Sequence, residues 1–348
     1  MTVKIRNLVL SLTGECNFSC RYCYAANHNK AMMSEETAVA AVRLAASSKE
    51  KFILQFTGGE PLLNFRTLKV VVDYVKKENL PALLKLQTNG SLLTEAMARY
   101  LYRNQVAIGV SLDGRPTVND RLRLTRAGAG ATRAALQGLA VLSRNQIACG
   151  LTCVVTAENV EQLAGIVEFA YFLGNIRRIG FDILRRQGRG CGLKPPAAEA
   201  MKSSMEKVYA TRDRLEQLTG VRIVIAQEER VRTLRSFCDH CFGHCYAMNG
   251  EAAFVDAEGA IYACSSLVGD KDFYLGDVAH GLDARLVAEN KVKIATAMDF
   301  CSQCADFKLC GGGCFARWYG LEDKSLYAAE CAMKRVSISY VKGRSGSK

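Results

Sequence analysis

Three cysteines near the N-terminus, Cys16, Cys20 and Cys23, stand in a Cys-x3-Cys-x2-Cys run, with Tyr22 just before the last. Three thiolates satisfy all but one iron of a four-iron cluster, and a second molecule can bind the remaining iron and take an electron from it. The other reading of such thiols is a zinc site. Zinc favours Cys-x2-Cys pairs completed to four ligands, and no fourth Cys or suitably spaced His lies close by. After Cys238 and Cys241 the cysteines return: Cys245, Gly259-x4-Cys264, Cys301-x2-Cys304-x5-Cys310-x3-Cys314, and Cys331. A pair of zinc ribbons would not need these spacings. Between the two territories lies Thr57-Gly58-Gly59-Glu60-Pro61. Its glycines let backbone approach a ligand, and Glu60 offers an acceptor for an ammonium group.

These residues need a scaffold, and the sequence supplies one. Apolar and β-branched runs at 5–12, 52–56, 83–87, 106–112, 148–155 and 179–184 read as strands. Helices are expected between them, with N-caps at Ser34, Thr94 and Asn159, each followed by Glu in the first turn. Six such units predict a parallel β/α barrel with its active site on the loops that follow the strands. The triad follows the first strand, Gly58-Gly59-Glu60 the second, Thr88-Asn89-Gly90 the third, and Ser111-Leu112-Asp113-Gly114 the fourth. Cys149 and Cys153 lie four apart in a strand, share one face, and are expected to pack as small apolar residues. Residues 195–219 read as a helix and 221–225 as a short strand.

At 348 residues, with 49% apolar content, the chain predicts two or three globular domains. No run is long and apolar enough for a membrane span or signal peptide, so a cytoplasmic protein without membrane contact is expected. Fifteen bunched cysteines in a reducing compartment point to metal rather than disulfides, and only four histidines accompany them. The formal charge of +12 would fall to about +7 if eleven of the cysteines served as thiolate ligands to three cluster cores. Basic residues are spread out apart from the run from Arg185 to Arg189, and no RNA-binding pattern accompanies them. We expect a solvated basic surface, or one that attracts an acidic peptide, and no nucleic-acid partner. Cys191, in a Gly-rich segment, reads as a solvated thiol.

The triad with its preceding tyrosine resembles the signature of the radical S-adenosylmethionine superfamily, and the seven cysteines from Cys245 onward resemble its SPASM domain, found in peptide and protein maturases. The resemblance implies an α/β fold, a partial (β/α)6 TIM-like barrel at 1–190, a bridging helical linker at 191–236 and a small cysteine-rich SPASM domain at 237–348. It implies three 4Fe-4S clusters. Cys16, Cys20 and Cys23 would hold the one that binds S-adenosylmethionine. Of two interleaved auxiliary clusters, the first would take Cys245, Cys264 and Cys314, with Cys241 or Cys238 as fourth ligand, and the second Cys301, Cys304, Cys310 and Cys331. The clusters are expected to staple a region with little helix or strand of its own. Cofactor contacts are implied for Tyr22, Gly58, Gly59, Glu60, Asn89, Ser111, Asp113, Arg123 and Thr156. Asn119 departs from the His frequent at that position.

Three functions remain open on the sequence. The first is a maturase that uses a 5'-deoxyadenosyl radical to modify a ribosomally made peptide oxidatively, forming a thioether or related crosslink. The second is an anaerobic sulfatase maturase that makes formylglycine. The third, of another class, is a non-catalytic iron-sulfur electron-transfer protein, which would explain the cysteines but not the open triad beside Gly58-Gly59-Glu60. Sulfatase maturases generally carry Asp after the Gly-x4-Cys cysteine, where this chain has Ser265; a hydroxyl cannot replace a carboxylate as general base. The catalytic base is left unassigned. Expected partners are a precursor peptide and a flavodoxin or ferredoxin-type reductant. The first strand starts close to Met1, which leaves no room ahead of it for a winged leader-recognition domain. A separate leader-recognition protein, or a grip by the barrel mouth and SPASM face, is expected instead.

Overall fold

The computed structural model describes residues 3–234, 245–319 and 325–345. Strands β1 (Asn7–Ser11), β2 (Phe52–Thr57), β3 (Ala82–Thr88), β4 (Ala107–Ser111), β5 (Cys149–Val155), β6 (Ile176–Ile183) and β7 (Val224–Ile225) pair in chain order, all parallel. Their crossovers carry α1 (Glu35–Ala46), α2 (Phe65–Lys77), α3 (Glu95–Arg103), α4 (Pro116–Leu122), α5 (Thr132–Arg144), α6 (Leu163–Leu173) and α7 (Ala198–Thr219). α8 (Ala226–Leu234) follows β7. The expected six-unit α/β architecture with a parallel core is present.

Alternation explains the layering. Leu54 and Phe56, Leu84 and Leu86, Ile108 and Val110, and Leu151 and Cys153 are buried on the outer face of the strands. There they meet helix residues spaced three and four apart, such as Leu68, Val71, Val72 and Val75 of α2. Cys149 and Cys153 belong to this apolar layer. The inner face is small and polar. Across it Gln87 Nε2 donates to Ser111 Oγ at 2.9 Å, and Thr152 Oγ1 to Gln87 Oε1 at 3.1 Å.

Two of the three expected caps form: Ser34 Oγ accepts from Thr37 N–H at 3.0 Å, and Thr94 Oγ1 from Met97 N–H at 3.2 Å. Asn159 does not cap its helix. Its Oδ1 accepts from Thr156 N–H at 2.8 Å, and its Nδ2 donates to Val154 O at 2.9 Å, so α6 starts only at Leu163, after a 3-10 turn. The strand expected at 221–225 is confined to β7.

The cysteine-rich region holds more regular structure than expected. It contains β8 (Ala252–Val255), β9 (Ala260–Tyr262), β10 (Tyr274–Asp277) and β11 (Gly281–Leu282), with α9 (Ala284–Ala297). Short helices α10 (Asp299–Ser302), α11 (Phe307–Cys310) and α12 (Phe315–Trp318) precede α13 (Ser325–Ser345). β8 pairs parallel with β1, so the antiparallel strands β8 to β11 extend the barrel sheet beyond its first strand. On the other side α13 packs on α7, where the Tyr209 and Tyr340 rings stack at 4.1 Å. Buried Arg212 joins them, bonding Glu228 at 2.9 Å and Tyr340 Oη at 2.7 Å. Among the described residues no helix is long and apolar enough to cross a membrane.

Candidate active site

The loop after β1, which carries the cysteine triad, lies against the loop after β2. Gly59 N–H donates to Thr13 O at 2.7 Å and Glu60 N–H to Glu15 O at 2.8 Å. Only glycine permits this approach. A Cβ on Gly58, whose φ is +144°, would lie 2.2 Å from Thr13 O, and one on Gly59 would lie 2.3 Å from Glu15 O. Beside this contact a cavity of about 190 Å³ is lined by Cys16, Cys23, Gly59, Lys30, Arg126 and Arg189. Arg126 Nε donates to Cys16 O at 2.6 Å and Arg189 Nε to Cys20 O at 2.8 Å, so two cations brace the loop through its carbonyls.

Burial pushes the Cys16 thiol up to about 12 and raises Cys20 as well. Such thiols stay protonated near neutral pH until a bound cation replaces the proton. Cys16, Cys20 and Cys23 lie within electrostatic reach of one another. Among the described residues no three Cys, His, Asp or Glu side chains converge on one single-ion position. Soft sulfur donors around a space of this size fit an iron-sulfur centre with room beside it.

Glu60 is fully buried and already bonded within the chain. Its Oε1 accepts from Leu62 N–H at 3.1 Å and Thr88 Oγ1 at 2.6 Å, and its Oε2 accepts from Asn89 N–H at 2.7 Å. The carboxylate thus clamps the loop after β2 to the end of β3, and Gly59 borders the cavity in its place. Burial pushes Glu60 up to about 7. Asn89 extends the clamp to the triad: its Nδ2 donates to Asn17 Oδ1 at 2.8 Å and stands 3.9 Å from Cys16 Sγ.

Tyr22, Asp113 and Arg123 form a second buried group. Tyr22 Oη donates to Asp113 Oδ2, Arg123 Nε lies 2.9 Å from the same oxygen, and the guanidinium stands 5.3 Å from the Tyr22 ring centre. Arg123 Nη1 reaches 4.0 Å from Cys20 Sγ. Although burial opposes its charge, Asp113 holds Arg123 above the ordinary arginine range. Val154 N–H and Asn119 fix Asp113 from the next strand and from α4, at 2.8 and 2.9 Å. Ser111 stands apart from this group on the inner face of the sheet. Thr156 is buried in the turn that Asn159 closes, and Asn159 Nδ2 also reaches Asp113 O at 3.2 Å.

In the C-terminal region Cys245, Cys264 and Cys314 lie within electrostatic reach of one another, and so do Cys301, Cys310 and Cys331, with Cys304 next to Cys310. Burial pushes Cys245 up to about 12 and Cys301 to about 11. The two groups interleave along the chain, and each offers the soft sulfurs of an iron-sulfur site. Cys238 and Cys241 lie outside the described residues. Gly259 has a φ of +94° in the turn from β8 to β9, and β9 delivers Cys264 beside its partners.

A buried charge network joins this region to the barrel. Asp182 of β6 pairs with Arg185 at 2.6 Å and with Arg317; Arg317 Nη1 donates to Glu330 Oε2 at 2.6 Å, and Glu330 lies 3.1 Å from Lys334 Nζ. Sequence reasoning missed Arg317, Glu330, Lys334 and Arg126, and read Asn159 only as a helix cap. Within the run Arg185 to Arg189, Arg185 is half-buried and stacks at 5.1 Å on the Tyr24 ring, whereas Arg189 is exposed and holds Cys20 O. Tyr24 Oη meets Ser265 Oγ at 3.2 Å, linking the triad loop to the loop after Cys264. Cys191 is exposed, as expected.

Residues 10–170 match the Radical SAM superfamily. An uncharacterized protein of Methanocaldococcus jannaschii is 31% identical over 267 residues, 76% of this chain and 86% of the relative. A cysteine-type anaerobic sulfatase-maturating enzyme of Clostridium perfringens is 25% identical over 334 residues, 88% of each. Among solved structures, native anSMEcpe with bound AdoMet aligns with a TM-score of 0.78 at 21% identity over 97% of both chains. Streptococcus suis SuiB bound to precursor peptide SuiA aligns with a TM-score of 0.70 at 16% identity, over 93% of this chain and 76% of that one. At these identities the two structures establish the shared fold.

Proposed function

Because the chain belongs to the radical S-adenosylmethionine superfamily, we propose that it is a peptide maturase that oxidatively modifies a ribosomally made peptide, forming a thioether or related crosslink. Cys16, Cys20 and Cys23 would hold the cluster that binds S-adenosylmethionine. Cys245, Cys264 and Cys314, with Cys241 or Cys238, would hold one auxiliary cluster, and Cys301, Cys304, Cys310 and Cys331 the other. When bound, the cofactor supplies a 5'-deoxyadenosyl radical that removes a hydrogen atom from the substrate.

The chain's own part is positioning. The Gly58-Gly59 backbone and Asn89 would border the methionyl end of the cofactor, with Glu60 fixing both loops from behind. The Tyr22–Asp113–Arg123 group, Ser111 and Thr156 would shape the rest of its site. A crosslink removes two hydrogens from the peptide: one leaves as an atom, the other as a proton and an electron, and the electron needs an acceptor. Two further thiol groups behind the barrel suit that requirement.

The observation that carries the crosslinking reading is Ser265. The place after Cys264 holds a hydroxyl bonded to Tyr24 Oη at 3.2 Å, not a carboxylate able to take a proton. Sulfatase maturation is the second reading, and the Clostridium perfringens relative favours it. Anaerobic reconstitution, reduction with S-adenosylmethionine present, and mass spectrometry of cysteine-containing peptides separate the two. Crosslinking gives 5'-deoxyadenosine with a peptide that is lighter by about two mass units and carries no aldehyde. An aldehyde at a Cys or Ser supports the second reading, and absence of 5'-deoxyadenosine refutes both.

A further inference from the structure

The buried network between β6 and α13 places a cation against each C-terminal thiol group. At one end, Arg185 pairs with Asp182 at 2.6 Å and stacks on Tyr24, whose hydroxyl touches Ser265 beside Cys264. The segment holding Arg185 is pinned to α12, directly after Cys314, by Arg317 Nε to Ile183 O at 3.1 Å and by Gln187 Nε2 to Ala316 O at 3.2 Å. Arg185 thus lies within electrostatic reach of both Cys264 and Cys314. Its Nε is buried without a hydrogen-bond partner among the described residues. At the other end, Lys334 bonds Gly312 O, between Cys310 and Cys314, and faces Cys301, Cys310 and Cys331. Glu330 ties the two ends together and accepts the Cys314 N–H at 3.3 Å.

Three cations, Arg185, Arg317 and Lys334, share two carboxylates, Asp182 and Glu330. Arg185 and Lys334 stand at the two ends of this network, each within electrostatic reach of thiols that become anionic on binding metal. Arg317 is divided between both carboxylates, which leaves Arg185 and Lys334 as the cations nearest the two thiol groups. A buried cation and an unused N–H next to a sulfur-ligated centre stabilise its reduced form and raise its potential.

We infer that Arg185 sets the electron affinity of the centre at Cys245, Cys264 and Cys314, and Lys334 that of the centre at Cys301, Cys304, Cys310 and Cys331. The inference rests on reading those cysteines as cluster ligands. The test uses the full chain carrying Cys16→Ala, Cys20→Ala and Cys23→Ala, reconstituted with iron and sulfide, so that only the C-terminal centres report. Midpoint potentials are read by electron paramagnetic resonance during a redox titration.

Arg185→Met should move one of two signals to more negative potential and leave the other, and Lys334→Met should move the other one. Arg185→Lys and Lys334→Arg keep the charge and should hold both potentials near the parent values. Should a methionine variant fail to fold, its charge-keeping partner with the charge screened to different degrees by added salt cannot substitute for it, so Arg185→Gln and Lys334→Gln serve as the second neutral pair. Unchanged potentials in neutral variants that retain their iron overturn the inference alone. Absence of any C-terminal signal in the triad-less parent overturns the ligand reading and the inference with it.

Discussion

Replacing Gly59 by Ala tests the construction of the site at its tightest point. The new Cβ would lie 2.3 Å from Glu15 O and 2.6 Å from Gly14 O, both backbone atoms that no rotamer change can move. Relief requires the loops after β1 and β2 to part by roughly 1 Å before ordinary contact distance is reached. That movement stretches the bonds now at 2.7 Å (Gly59 N–H to Thr13 O) and 2.8 Å (Glu60 N–H to Glu15 O) beyond useful length. Two lost hydrogen bonds cost about 2 kcal/mol, and residual overpacking adds about 1–3 kcal/mol. A loss of about 3–5 kcal/mol is a large part of the roughly 5–15 kcal/mol that holds a domain folded. Urea unfolding of the variant against the parent measures it, with Gly192→Ala as control because a Cβ there meets nothing within 4 Å. The same movement displaces Cys16 from Cys20 and Cys23, so reconstituted iron should fall by about four per chain if the triad holds a four-iron cluster as proposed. A Gly59→Ala protein that unfolds within about 1 kcal/mol of the parent and keeps its full iron would refute the close-approach argument.

Other perturbations follow from the same contacts. Burial raises the folded Glu60 carboxyl from 4.5 to about 7, so between those values the folded chain keeps a proton that the unfolded chain has lost. Its contribution is fully present below about pH 4.5 and falls by about 3 kcal/mol as pH rises through 7. Urea unfolding at several pH values should show that decline, and Glu60→Gln should flatten it. Arg123→Met leaves Asp113 charged and buried without its cation, and should cost about 3–5 kcal/mol by urea unfolding. Ser265→Ala tests the absence of a base at that position. Product formation should fall by less than about threefold, whereas a loss of about a hundredfold or more would make the hydroxyl a proton-transfer group.

The chain's local signals were legible where the physics is local. Strand alternation and the caps at Ser34 and Thr94 depend on residues a few positions apart, so the sequence carried the six β/α units. Asn159 misled because its side chain had a better use: it satisfies Thr156 N–H and Val154 O instead of opening a helix. Glu60 was recognisable as part of the loop after β2. That its carboxylate faces Thr88 and Asn89 was not, because those donors arrive only when β2 and β3 pair.

By itself, the sequence determined the chemistry on offer: an abundance of soft sulfur donors, a glycine pair that admits close backbone approach, and a hydroxyl after Cys264. Tertiary structure decided which charges are buried and what they face. Asp182 and Arg317 are 135 positions apart and meet only where β6 packs against α12. Short-range spacing fixes periodicity and the cysteine triad, whereas the partner of a buried charge is fixed by which distant elements pack together, and no local pattern encodes that.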